Sequence, residues 1–204
     1  MTLEHWIAPA RTALVLVDMQ VDFASPDGAL GRQGVDMTTA QAAVKQSEHL
    51  AEAARAANVP LVFVRLITQA QTPFEQEWKS RRGDSTPPLC IEGSPGAAFV
   101  GPQPRSGDYV VAKSRYSPFT NTRMDESLRA LGRDTLVICG LTTECCIDAT
   151  ARDAFECDYH IIIAADAVAA YEPQLHSAAL KALALNCATL ASTREIAAAW
   201  ALGK

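Results

Sequence analysis

The sequence predicts a three-layer α/β/α domain built on a six-stranded, mostly parallel, Rossmann-like sheet. Three observations predict it. Apolar, β-branched runs alternate along the chain with segments whose apolar residues recur at three- and four-residue spacing, the pattern of strands buried on both faces and of helices covering them. The connections between runs are mostly long enough for right-handed helical crossovers. A length of 204 residues without internal repeat or low-complexity linker suits one domain over 1–204.

TALVLV (12–17) is the first buried strand. Residues 36–58 place Ala43, Leu50, Ala54 and Ala57 on one helical face, and Asn58 and Pro60 stop that helix. LVFVRL (61–66) is the second strand. The stretch 67–107 holds Pro73, Pro87, Pro88, Pro95, Pro102 and Pro104 and reads as a long loop with one short helix over 73–79. Long connections of this kind carry function or subunit contacts. DYVVAK (108–113) is the third strand, and NTRMDESLRALG (121–132) is a helix closed by Gly132. TLVICG (135–140) is the fourth strand, 142–156 a helix and YHIIIAAD (159–166) the fifth strand. The helix 173–186 has Pro173 in its first turn. ATLAS and REIAAAWAL supply the sixth strand and the last helix.

Lysine and arginine number 18 against 23 aspartates and glutamates, a net charge of −5. Without a basic block, neither nucleic acid nor an anionic membrane surface is an expected partner. An apolar content of 49% with 20% charged residues excludes a disordered or fibrous chain. The N-terminus has no basic leader, and ALVLV is too short for a signal segment or a membrane span, so the expected setting is cytoplasmic. Six cysteines (Cys90, Cys139, Cys145, Cys146, Cys157, Cys187) are then reduced thiols rather than a disulfide framework. Neither C-x-x-C nor H-E-x-x-H occurs, so no metal and no cofactor are expected.

In an open parallel sheet, ligands bind beyond the carboxyl ends of the strands, where the strand order reverses. The first strand ends at Asp18, the third at Lys113, and the fourth runs through Gly140 into a helix carrying Cys145 and Cys146. Each alone has an ordinary reading: a turn aspartate, a solvated lysine, small buried thiols. Together they supply what a thiol nucleophile needs. A free cysteine titrates near about 8.5 and requires a cation, a base or a helix N-terminus to react at neutral pH. None of His5, His49, His160 and His176 falls on the predicted rim, against a Cys-His arrangement.

LVLVDMQVDF (14–23), AKSRYSPFTNTRMD (112–125) and GLTTECCIDATARDA (140–154) together resemble the isochorismatase-like cysteine hydrolases, over nearly the whole chain. The third segment is the most specific. It matches G-x-x-T-x-x-C-V/I-x-x-T-A-x-D-A through Gly140, Thr143, Cys146, Ile147, Thr150, Ala151, Asp153 and Ala154. The spacing selects Cys146 and makes Cys145 a pocket wall. The resemblance implies a catalytic triad of Asp18, Lys113 and Cys146. It also implies a cis peptide between Leu141 and Thr142, an oxyanion hole from the Thr142 and Cys146 amides, and a pocket lined by Phe23, with Tyr116 and Phe119 as further aromatic candidates. The implied reaction is hydrolysis of an amide, ureide or N-carbamoyl C–N bond through a thioester, in a homodimer or homotetramer.

Departures narrow the class. PPLCIEGSPGAAF (87–99) contains no histidine, which sets the chain apart from metal-dependent nicotinamidases, and Cys146 sets it apart from isochorismatases that cleave a vinyl ether. EGSPGA and TTE are similar to the branch of ureidoacrylate, biuret and N-carbamoyl amidohydrolases. Glu92 stands between a loop-ordering and a substrate role. A rival class is a thiol redox sensor or binding module using the vicinal Cys145 and Cys146, although adjacent cysteines rarely form an unstrained disulfide. A nucleotide-binding flavodoxin-like module lacks its glycine-rich loop.

Overall fold

The computed structural model describes residues 2–69, 72–83 and 87–202. A single helical turn, α1 (Leu3–Trp6), precedes β1 (Thr12–Val17). Two more short turns, α2 (Val21–Ala24) and α3 (Ala29–Arg32), lead to the long α4 (Thr38–Ala56) and then β2 (Leu61–Leu66) and α5 (Pro73–Arg82). The second half alternates regularly: β3 (Tyr109–Lys113), α6 (Met124–Ala130), β4 (Thr135–Leu141), a π-helical turn (Thr143–Ile147) running into α7 (Asp148–Glu156), β5 (His160–Ala169), α8 (Pro173–Asn186), β6 (Ala188–Ala191) and α9 (Thr193–Leu202).

The six strands form one sheet in the order β3-β2-β1-β4-β5-β6, and every pairing is parallel rather than mostly so. The chain winds outward from β1 to β3, returns, and winds outward again from β4 to β6. The reversal therefore lies between β1 and β4, where Val17 pairs with Gly140. TALVLV explains why β1 is central. Its residues alternate, Leu14 and Leu16 joining the core under α4 and α9, Ala13, Val15 and Val17 the core under α6, α7 and α8. Each fully buried large aliphatic contributes about 1.5–3 kcal/mol.

Most predicted elements recur within a few residues. The differences are local. Single-turn helices α1 to α3 are too short to show a periodicity. The helix expected from 142 begins instead as a π turn, and β5 runs on to Ala169 past a register shift opposite Ile138 and Gly140. In the proline-rich stretch, α5 starts where predicted, held by a reciprocal capping box of Thr72 and Glu75, and runs three residues further than predicted to its left-handed C-cap at Gly83. Bridges from Gln20 to Phe99 and from Thr68 to Ile91 tie that stretch to the carboxyl edge of the sheet.

Candidate active site

Asp18 ends β1 with φ +51, a left-handed conformation that aspartate tolerates better than most residues. The backbone is pinned on both sides, Asp18 N–H donating to Val64 O and Gln20 N–H to Asp18 O, each at 2.9 Å. Gln20 is wholly buried and clamps the neighbouring chain. Its Oε1 accepts from Leu66 N–H at 2.8 Å, and its Nε2 donates to Leu66 O at 2.9 Å and Ala97 O at 3.0 Å. Asp22 does the same two residues later, accepting from Ala29 N–H (2.8 Å) and Cys90 N–H (2.7 Å). In DMQVDF the first polar residue faces the site, and the next two anchor the loops around it.

Lys113, at the end of β3, is 2% exposed rather than solvated. Its Nζ lies 2.6 Å from Asp18 Oδ2, 3.0 Å from Arg115 O and 3.4 Å from Cys146 Sγ. An ammonium has three N–H donors, and here it meets three acceptors. Cys146 arrives from the other side of the strand-order reversal. Gly140 makes that approach feasible, because at φ +120 a Cβ would lie 2.0 Å from Val17 O. The π turn then presents Cys146, whose carbonyl accepts from Thr150 Oγ1 at 2.5 Å. Such widened turns concentrate at functional sites. The Leu141–Thr142 peptide is cis.

Electrostatics bind the three side chains into one unit. Burial raises the Asp18 pKa above the ordinary carboxylate value, and Lys113 only partly counters it. Burial opposes the Lys113 charge, yet Asp18 and Cys146 outweigh it and hold the ammonium protonated. The Cys146 thiol is raised well above its usual value, first by the hydrogen bond with Cys145, then by burial and the Asp18 charge, with Lys113 opposing. The same hydrogen bond lowers Cys145, so the two thiols titrate as a pair. A protonated thiol beside a carboxyl whose proton affinity is raised is suited to transfer of that proton to Asp18.

The isochorismatase domain pattern matches residues 12–195. This chain belongs to the isochorismatase family. Its likeness to the ureidoacrylate amidohydrolase RutB of Methylobacterium radiotolerans is 36% identity, covering 84% of this chain and 72% of the relative. Among solved structures, a cysteine hydrolase from Pseudomonas syringae pv. phaseolicola superposes with a TM-score of 0.83 at 28% identity, covering 96% of this chain and 95% of the other. An N-carbamoylsarcosine amidase from Thermoplasma acidophilum gives 0.74 at 30% identity, covering 90% and 96%.

Within this isochorismatase fold the remaining sequence candidates fall as follows. Cys145 is half-buried beside Cys146. Phe23 is partly buried on α2, its carbonyl accepting from Tyr171 O–H at 2.7 Å. Tyr116 is 62% exposed on the loop after Lys113. Phe119 packs on the core and lies 6.0 Å from the Tyr159 ring, and exposed Glu92 accepts from Gln69 Nε2 at 3.2 Å, a loop contact. The other four cysteines are free, and burial raises each thiol, Cys139 to about 12. One expectation is corrected: His176 does reach the rim, its Nδ1 2.8 Å from Thr143 Oγ1, because α8 packs directly on the π turn. Tyr171, Gln20 and Asp22 were also missed. For Gln20 and Asp22 the available signal was their polarity inside a segment otherwise bound for the core. Among the described residues, no group of three or more His, Cys, Asp or Glu side chains is arranged to hold a metal ion, and no helix is long and apolar enough to cross a membrane.

Proposed function

We propose that this protein is a cysteine amidohydrolase that cleaves a linear amide, ureide or N-carbamoyl C–N bond, with Cys146 as nucleophile, Asp18 as general base and acid, and Lys113 as the fixed cation. The observation that carries the proposal is the burial of Asp18, Lys113 and Cys146 within one mutual contact at the strand-order reversal. The named activities of the relatives support the bond class.

The geometry supports the following course of reaction. Cys146 Sγ attacks the carbonyl carbon while its proton passes to Asp18, and the C=O pair moves onto oxygen. The amide N–H groups of Thr142 and Cys146, at the start of the π turn, receive that oxyanion. As the tetrahedral adduct collapses, Asp18 returns the proton to the departing nitrogen, and ammonia or an amine leaves a thioester on Cys146. Water, deprotonated by Asp18, then cleaves the thioester, and the acid is released with the thiol restored. Lys113 stabilises the negative charge as it moves between Asp18 and sulfur. These residues supply base, nucleophile and cation by themselves.

The test is an ammonia-release screen over ureides, N-carbamoyl amino acids, biuret and simple amides, with Cys146→Ala as blank. Turnover of at least one class that vanishes in the variant is expected; turnover that persists, or its absence across the panel, overturns the reading. We further propose a reducing, cytoplasmic setting and a homodimer or homotetramer. The six free thiols fit the first, and exposed Phe74, Leu175 and Leu185 fit the second; light scattering at micromolar concentration tests the assembly.

A further inference from the structure

The connection from β5 to α8 crosses the carboxyl edge of the sheet beside the strand-order reversal. Ala169 pairs with Leu141, so Tyr171 lies two residues past the strand position that leads into the π turn. The segment is fixed at both ends. Thr39 Oγ1 on α4 donates to Ala170 O at 3.1 Å, and Pro173 with the bond from His176 N–H to Glu172 O (3.0 Å) sets the first turn of α8. From between those anchors two side chains reach two different walls of the site.

Tyr171 packs on the core under α4 and α9, and its O–H donates to Phe23 O at 2.7 Å. Half-buried Phe23 belongs to α2, the single turn that starts three residues after Asp18. A helix so short leaves its last carbonyls without intrahelical partners, and the tyrosine supplies one. His176 reaches the other wall, its Nδ1 sharing a 2.8 Å hydrogen bond with Thr143 Oγ1. Thr143 opens the π turn three residues before Cys146 and is wholly buried, and its hydroxyl has no other hydrogen bond among the described residues. A buried hydroxyl that loses its partner is left with its full desolvation cost, so this bond gives the turn one favoured seat against α8.

We propose that the segment from Tyr171 to His176 is a clasp that positions both walls of the site: His176, through Thr143, sets Cys146 against Lys113, and Tyr171, through the Phe23 carbonyl, sets α2 beside Asp18. Both are positioning residues, since each acts through another residue. Small displacements of a nucleophile cost rate steeply, which is why the seat of the turn matters. The kinetic consequences rest on the amidohydrolase reading; the placement of the thiol does not.

Cys146 is alkylated at neutral pH with iodoacetamide and with the bulkier iodoacetanilide, the modified residue being assigned by fragment-ion mass spectrometry, in the wild type, His176→Ala, His176→Asn and Tyr171→Phe. Urea midpoints are taken in parallel, and kcat and KM are measured with biuret and N-carbamoyl-β-alanine. His176→Ala is expected to slow alkylation by both reagents and to lower kcat, each by about fivefold, with KM changing less. His176→Asn, whose side-chain amide reaches the place of Nδ1, should restore both. Tyr171→Phe keeps the ring and removes only the hydroxyl. It should leave the iodoacetamide rate and kcat within about twofold of wild type, raise the iodoacetanilide-to-iodoacetamide ratio by about threefold and raise KM. A His176→Ala variant whose urea midpoint falls while alkylation and kcat stay at wild-type values marks a merely structural bond and overturns the proposal. Failure of His176→Asn to restore them, or an unchanged reagent ratio in Tyr171→Phe, also overturns it. If His176→Ala does not fold, His176→Leu, closer to the ring in volume, carries the same expectation. Hydrolysis of neither substrate alongside the expected alkylation pattern counts against the amidohydrolase reading and upholds the clasp.

Discussion

Lys113 Nζ lies 2.6 Å from Asp18 Oδ2, with both side chains withdrawn from water, at 0% and 1% exposure. A buried ion pair contributes little stability over an apolar pair of the same size, but losing one partner strands the other charge. The two residues sit at the ends of β1 and β3, on either side of β2, so the pair is assembled by sheet order. Its consequence is chemical, because each charge pushes the Cys146 thiol in the opposite direction.

Asp18→Asn is expected to lower kcat/KM by at least about 10²-fold, since no group remains to take the thiol proton. The same change removes a charge that raises the Cys146 pKa, so iodoacetamide should alkylate Cys146 faster at neutral pH. Reactivity and turnover then move in opposite directions. Parallel losses of both would contradict the base assignment.

Lys113→Met should slow alkylation, because the cation that favours the thiolate is gone. It leaves Asp18 buried and unpaired, and urea unfolding should report a loss of about 3–5 kcal/mol near neutral pH. The double variant Asp18→Asn with Lys113→Met should recover part of that loss. Additive effects would mean that the two side chains are not coupled.

The pH profile has a defined sign. Asp18 must be ionised to accept the proton, and its pKa in the fold lies above the ordinary value, so kcat/KM should rise with pH along an acid limb displaced above about 4. For stability the sign is reversed. A carboxyl with a raised folded-state pKa favours the fold while protonated, and that contribution is lost as pH climbs through the raised value. An acid limb at the ordinary carboxylate position would contradict the burial argument.

Gly140→Ala should destabilise the protein by about 2–4 kcal/mol, since the new Cβ would overlap the Val17 carbonyl at a positive φ that disfavours alanine. A urea midpoint unchanged from the wild type would show that β1 and β4 can separate there without cost.

Dialysis against a strong chelator should leave turnover unchanged, because Asp18, Lys113 and Cys146 supply every role in the proposed reaction. Loss of activity that zinc or manganese restores would overturn that account.

The strands were legible because β-branched runs buried on both faces have few alternatives, and LVFVRL and PQLHSAALKALALN match β2 and α8 residue for residue. Asp18 and Lys113 were legible because each follows or ends such a run, while the choice of Cys146 over Cys145 came from the resemblance to the isochorismatase-like pattern. His176 and Tyr171 were not legible, since their contacts arise from α8 packing on the π turn and from segments far apart in the chain.

By itself the sequence determined the fold class and brought an acid, a cation and a pair of thiols to one rim, because strand period and residue spacing are local properties carried by the chain, and the family resemblance chose Cys146 from the pair. Only the tertiary structure decided that Lys113 is buried between Asp18 and Cys146 and that the nucleophile rides on a π turn. Burial, desolvation and contact between distant segments depend on the packed sheet, and no spacing along the chain encodes them.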